Sequence, residues 1–565
     1  MIGGGTAGCY AAITAARQSP ETSILLVEKA DIRRSGCLAA GVNALNAYLP
    51  AGRTAEDYLD YVRQDAEGIV RDDLVLSMAA GFNAAAADLE NMGLVIQKDE
   101  RGAYAVRGRW NIRINGENIK PILAAEVRQY PNITVLNHVN VTEFLTAAGR
   151  VRGAVGFSVR ENAAYVFAAR AVICTTGGAA GLYRPNHPGF SRHKLWYPPF
   201  NAGAGYAMGI RAGAEMTSFE MRFVALRCKD TIAPTGTLAL GAGAKQVNAL
   251  GEVYEARYGL TTSQRVYGTT EENRAGRGPC SLQTAGISKE KEEELYKAYL
   301  NMAPAQTLKW MDSGEPPSVK NVEIAGTEPY IAGGHTGSGY WVDSGRRTTL
   351  PGLYAAGDVS GGAPAKFVTG ALAEGAIAAR TALADMAAVP EKETNCAPEK
   401  DAVVIDAAEP FLASYEQFLS PGTSQADVFQ SEAAMQEVMD TFAGGLGQDY
   451  RYSAESLSEA KRRIAALSRE AGELRAADNR DLLRIYELLD RLTVCETLLA
   501  HMEARRETRW PGFGVYTDFP EAREECRYFV NSRRENGKTR ILYRELDQEN
   551  RKWNQEDREQ AGGGV

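Results

Sequence analysis

A glycine loop at the start of the chain limits what the rest can fold into. Gly3-Gly4-Gly5-Thr6-Ala7-Gly8 reads GxGxxG, and its glycines have separate tasks. Gly3 permits a tight turn, Gly5 leaves room for a pyrophosphate beside the backbone, and Gly8 lets the next helix pack on its strand. The N-terminus of that helix then faces the phosphates. Residues 9–18 read as the helix and Ser23–Glu28 as a buried strand, which predicts a βαβ unit with a parallel sheet. Glu28 lies twenty residues beyond Gly8, where a carboxylate accepts hydrogen bonds from ribose hydroxyls. Only Met1 and Ile2 precede the loop, against about five or six residues in an ordinary strand. A late start or a truncation is the expectation, with a central strand weakened by it.

A second segment narrows the cofactor. Gly352-Leu353-Tyr354-Ala355-Ala356-Gly357-Asp358 ends a strand in a small-residue turn bearing an acid, and a glycine-rich loop and a helix from Gly370 follow. Such a loop suits close approach of a flat cofactor and its ribityl phosphate chain. An N-terminal GxGxxG paired with a late GLYAAGD distinguishes FAD proteins from NAD dehydrogenases. FAD is therefore the predicted cofactor. Its cradle is Gly3, Gly5, Thr6, Ala7, Gly8, Glu28, the Ser35–Gly41 loop with Gly36 and Ala40, and the Gly357–Leu372 stretch with Asp358, Lys366, Ala371 and Leu372.

The chain's 565 residues call for two or three domains. The predicted class is α/β. A discontinuous Rossmann-like FAD-binding domain (1–223 and 331–407) holds an inserted α+β capping domain (224–330). A C-terminal helical domain (408–545) and a mobile tail (546–565) follow. In the helical region, Leu457, Ala460, Ile464 and Leu467, then Leu482, Ile485, Leu489 and Leu492, recur at helical spacing and predict a packed bundle. A net charge of −8 argues against nucleic acid as a partner. No apolar run is long enough to span a membrane, and the first residues lack the basic and apolar regions of a signal peptide. The eight cysteines form no CxxC pair, which excludes a ferredoxin-type cluster on this chain. No metal site is predicted. Their scatter fits a reducing, cytoplasmic compartment.

The two glycine motifs resemble those of the fumarate reductase and succinate dehydrogenase flavoproteins. Within that superfamily the chain looks most like the alpha subunits of adenylylsulfate reductases. The resemblance covers most of the chain, including RRSGCLAAGVNALNAYL (33–49), RWNIRINGENIKPI (109–122), LWYPPFNAGAGYAMGIRAGAEMTSFEMRFVALRCKD (195–230), GGHTGSGYWV (333–342), KFVTGALAEG (366–375) and RRETRWPGFGVYTDFPE (505–521). It implies reduction of adenosine phosphosulfate to sulfite and AMP, with reduced flavin N5 attacking sulfur. It implies non-covalent FAD, because Ser35-Gly36-Cys37 lacks the linking histidine of the succinate dehydrogenases. His138, the nearest histidine in sequence, reads as a structural residue in a strand. The resemblance extends the cofactor set to Lys29, Asn43, Val139, Thr176 and Gly177. It maps the substrate site onto Asn46, Glu117, Trp196, Arg227, Leu240 and His335. Arg227 is expected to hold the sulfonate or phosphate with its planar donor fork, or to form a domain-interface ion pair. His335 is expected to act as donor or acid beside the flavin. Trp196 stacks on adenine or on the flavin, or is core. A ferredoxin-like iron–sulfur beta subunit is the implied partner, and the substrate is a small anion.

One family arginine is missing. Gly278-Pro279-Cys280-Ser281-Leu282-Gln283 stands where the family has GPIYMR, so Gln283 takes the arginine's place in the substrate set. Arg274 or Arg277 is a candidate replacement. The change keeps an alternative open, a fumarate reductase or succinate dehydrogenase type of flavoprotein acting on a dicarboxylate or enoate.

Overall fold

A computed structural model describes residues 1–40, 42–114, 118–186, 195–388, 402–420 and 427–550. At its centre lies a parallel sheet. Strand Ile24–Glu28 pairs with Ile133–Asn137, and Leu353–Ala355 pairs with Val172–Cys174. Met1–Gly3 joins the two pairs. Ile2 bridges Val27 on one side and Cys174 on the other, through bonds such as Ile2 N to Ile173 O (2.9 Å) and Gly3 N to Val27 O (2.8 Å). The short first segment therefore occupies the sheet's central position with both edges hydrogen-bonded.

The first helix, Thr6–Gln18, leaves this position and packs along Phe367–Ala388. Their approach is close: a Cβ on Gly375 would lie 2.4 Å from Ala7 O. Tight packing here holds the two glycine motifs, which are more than 340 residues apart in sequence, against each other (Gly357 would carry a Cβ 3.1 Å from that of Ala7). A three-stranded antiparallel sheet, Val139–Ala147, Arg150–Ser158 and Ala164–Ala168, covers one side. His138 is not in a strand. It joins Ile133–Asn137 to Val139–Ala147 with φ 63°, because the chain must change sheets there.

The inserted region has its own sheet, ordered Leu226–Cys228, Val322–Gly326, Ser281–Leu282 and Gln246–Val247. Helices Thr262–Arg274, Lys289–Met302 and Pro304–Ser313 accompany it. It also has a separate apolar core that includes Leu238, Tyr254, Leu295, Tyr299, Trp310 and Ile324, the mark of an independent packing unit.

Helices Val428–Phe442, Ala454–Ala471 and Asn479–Ala504 pack together, with Leu457, Ile464, Leu482, Ile485 and Leu492 buried. This region ends in a β-hairpin that the sequence pattern does not predict. Tyr528–Glu535 pairs with Lys538–Glu545 and also with Met216–Thr217, so the C-terminal chain joins the cofactor domain's second sheet. Residues 546–550 differ from the expected mobile tail: Leu546 is buried, and the Asn550 amide donates to Val70 O at 3.3 Å. The rest of that expectation, 551–565, lies outside the described residues.

Candidate functional site

One cavity of about 1120 Å³ runs from the N-terminal glycine loop to the inserted domain. Its first part is built by backbone. Gly3 has φ 96°, and a Cβ there would stand 2.6 Å from Thr175 O, so only glycine makes this turn. Gly5 opens on the cavity, with nothing nearer to an added Cβ than Thr175 O at 4.0 Å. The first helix begins at Thr6 with no side-chain cap, which leaves its leading N–H groups available to an anion. The Glu28 carboxylate accepts from Gly4 N (2.7 Å) and Ala30 N (2.8 Å). Each oxygen retains a lone pair for a ribose hydroxyl. This uncapped helix, open loop and strand-end carboxylate fit a dinucleotide such as FAD.

Gly3, Gly5, Thr6, Ala7, Glu28 and Lys29 line the cavity, as do Gly36, Asn43, Val139, Thr176 and Gly177, and later Asp358 and Ala371. The Lys29 ammonium is itself occupied by Glu487 at 2.9 Å and by Phe200 O. Asp358 accepts from the Tyr197 hydroxyl at 2.7 Å. Other expected cofactor residues stand behind the wall. A Cβ on Gly8 would meet Gly3 O at 1.9 Å, so its service is packing. Ser35 donates to Gly4 O at 3.3 Å and Leu372 is core. Ala40 ends the short turn Cys37–Ala40. Lys366 is a correction. Its ammonium donates to Gly357 O, Ser360 O and Ser360 Oγ and sits 3.2 Å from Glu374, fully buried and away from the cavity. Gly41 and Glu117 lie outside the described residues.

Asn46, Trp196, Arg227, Leu240 and His335 also line the cavity, and Trp196 touches both Arg227 and His335. The Arg227 guanidinium lies 4.0 Å over the Trp196 ring. It donates to Leu226 O at 3.0 Å, and its Nε has no partner. Burial pushes its pKa down to about 10, so it remains charged at neutral pH. Among the described residues no carboxylate pairs with it, contrary to the interface alternative. Trp196 in turn stacks on Tyr330, with centroids 5.8 Å apart, and meets His335 edge-on at 5.6 Å. The His335 ring stacks on Phe223 at 4.7 Å, and its Nδ1 has no partner. Gly334 leaves room beside it for Asp358, because an added Cβ would fall 1.8 Å from Asp358 Oδ1 and displace that carboxylate.

Burial lowers the His335 pKa from 6.5, so the imidazole is neutral at pH 7. This has a sign. Below pH 6.5 the unfolded chain takes up a proton that the folded site refuses, so stability falls as pH falls. The urea midpoint of the wild type should drop more steeply between about pH 6.5 and pH 5 than that of His335→Gln. Parallel curves would show that His335 does not resist protonation.

Gln283 is the second correction. It is exposed, its N–H donates to Lys245 O at 2.8 Å, and it is not part of the cavity wall. Neither candidate replacement reaches the site. Arg277 is bidentate on Glu272 at 2.7 and 2.8 Å. Arg274 pairs with Glu271 at 2.9 Å. Cys37, Arg107, Tyr197 and Phe223 also stand on the cavity wall, and sequence reasoning does not single them out. Arg107 lies two residues before the segment RWNIRINGENIKPI, and only its basic neighbourhood marks it. Among the described residues, no cluster of His, Cys, Asp or Glu is arranged to hold a metal, and no helix is long and apolar enough to cross a membrane.

A sequence profile described as an FAD binding domain matches residues 1–371. The adenylylsulfate reductase alpha chain of Megalodesulfovibrio gigas is 31% identical, over 94% of this chain and 92% of its own length. Adenylylsulfate reductase from Archaeoglobus fulgidus superposes with a TM-score of 0.87 at 33% identity, covering 96% of this chain and 94% of that one. A CoM/CoB fumarate reductase chain from Methanothermobacter marburgensis is 25% identical, over 93% of this chain and 95% of its own.

Proposed function

Because the chain belongs to the FAD-binding flavoprotein family that includes the alpha subunits of adenylylsulfate reductases, we propose that it reduces adenosine phosphosulfate to sulfite and AMP. The observation that carries this reading is Arg227, laid on Trp196 beside His335 in the cavity that starts at the glycine loop. FAD, when bound along that loop, supplies the two-electron chemistry.

The chain's own residues do the rest. Arg227 holds the anionic group undergoing reduction and offsets charge that develops as AMP departs. Its planar guanidinium is held in place by the Trp196 face. His335, neutral through burial, donates an N–H hydrogen bond to the anionic substrate without adding a second fixed charge. Asn46 orients the substrate from the cofactor side, and Leu240 from the inserted domain, where an apolar side chain suits the face of adenine. Electrons arrive from a ferredoxin-like iron–sulfur beta subunit, and the complex works in the cytoplasm.

The test uses the flavin-loaded protein. Added sulfite, the reaction's product, should bleach the oxidised flavin absorbance, and AMP should increase electron transfer from sulfite to an artificial acceptor. A protein that ignores sulfite, yet whose reduced flavin is reoxidised by fumarate, would move the assignment to the dicarboxylate reading.

A further inference from the structure

We infer that Arg107 is a substrate-anion-binding residue, the second cation of a dianion site whose first is Arg227. This rests on the reading of the cavity as a site for an anionic substrate. The observation is an imbalance of charge. Arg107 comes from the short strand Val106–Arg107, beside the glycine loop's domain, and lines the same cavity as Arg227. Its side chain makes a long hydrogen bond, 3.3 Å from Nη2 to Asn43 Oδ1. Its Nε is buried with no partner, like that of Arg227.

Both guanidinium groups line the one cavity. Tyr299 of the inserted domain stands within electrostatic reach of both. Asn43, which accepts from Arg107, donates in turn to Thr237 Oγ1 of the inserted domain at 3.4 Å, so Arg107 stands at the boundary between the domains. Among the described residues, no carboxylate pairs with either. The acids on the cavity wall are engaged elsewhere: Asp358 with Tyr197, Glu28 with Gly4 and Ala30, Glu255 with Gln246 N, and Asp65 with Thr262. Burial and the like charge of Arg113 lower the pKa of Arg107. Leaving two partly buried cations unpaired costs stability. A ligand with two negative charges removes that cost, and planar forks suit phosphate, sulfonate or carboxylate oxygens. Arg227, on Trp196 and next to His335, takes the group to be reduced. Arg107 takes the second charge, which in adenosine phosphosulfate is the nucleotide phosphate.

The experiment measures binding to the flavin-loaded protein by calorimetry, with AMP, sulfite and succinate as probes. In Arg107→Gln the dissociation constant for AMP should rise by about 10- to 100-fold, with Arg107→Lys intermediate. FAD content and the sulfite bleaching constant should stay at wild-type values. Unchanged AMP affinity in Arg107→Gln overturns the inference. So does loss of FAD or of sulfite bleaching, which would place Arg107 on the cofactor. A wild type that binds succinate and not AMP removes the adenylylsulfate reading alone, and the succinate affinity of Arg107→Gln then decides the role of Arg107.

Discussion

Arg227→Gln should lower kcat/KM for adenosine phosphosulfate by about 10²- to 10³-fold, with most of the loss in kcat. The glutamine keeps polarity and some length but removes the charge and the donor fork. Among the described residues Arg227 has no carboxylate partner to absorb its charge, and its Nε stays free. A group held this way is poised for a ligand, and it acts most strongly where negative charge builds up during S–O cleavage. Arg227→Lys should not restore the rate, because an ammonium neither stacks on Trp196 nor presents two parallel donors. Burial favours the neutral form of a lysine further. Steady-state kinetics at fixed flavin content check this. A variant with wild-type kcat would remove Arg227 from the chemistry and leave it a packing partner of Trp196.

The second large effect is on stability. Glu374→Ala should destabilise the folded protein by about 3–5 kcal/mol. The Glu374 carboxylate is fully buried and accepts from Gly357 N (2.8 Å), Ser360 Oγ (2.8 Å) and Arg346 Nε (3.1 Å), with Lys366 at 3.2 Å. Arg346 and Lys366 are also fully buried. Removing the anion leaves two cations in a dry site, and neither can reach water. Glu374→Gln should be less damaging to shape but still leaves the charge unbalanced. Urea unfolding measures the loss, and flavin release should accompany it, because Gly357 heads the Asp358 turn in the cofactor cavity. A Glu374→Ala protein as stable as the wild type would mean that the two cations are already neutralised or hydrated. The same cluster explains why Lys366, expected at the cofactor, is not there. Its ammonium is held by a carboxylate and two carbonyls.

Much of the fold is legible in contiguous residues. The loop Gly3–Gly8 and the turn Gly352–Asp358 are short, and their glycines are required by local geometry, as at Gly3 with its φ of 96°. The helical spacing of Leu457 to Leu492 likewise needs only the period of a helix. The C-terminal hairpin is harder to read. Its strands alternate charged residues with few apolar ones, and Lys538–Glu545 is largely exposed, so the pattern resembles a solvated segment. What pulls it into a sheet is pairing with Met216–Thr217, more than 300 residues away.

For the site, residue type is legible and destination is not. Asn46, Trp196, Arg227, Leu240 and His335 are spread from residue 46 to residue 335, and all line the same cavity. Position along the chain assigns Gln283 and Lys366 to the site as well. The first is turned outward on the inserted domain's sheet, and the second is consumed by Glu374. Arg107 shows the converse: nothing around it in sequence announces a ligand, and its meaning comes from its place on the cavity wall with an unpartnered Nε.

By itself, then, the sequence determined an FAD-binding α/β protein, because glycine spacing acts through backbone conformation within a few residues. Only the tertiary structure decided which cations remain unpaired. That depends on which carboxylates the packed chain brings within hydrogen-bonding distance, and local sequence carries no record of those encounters.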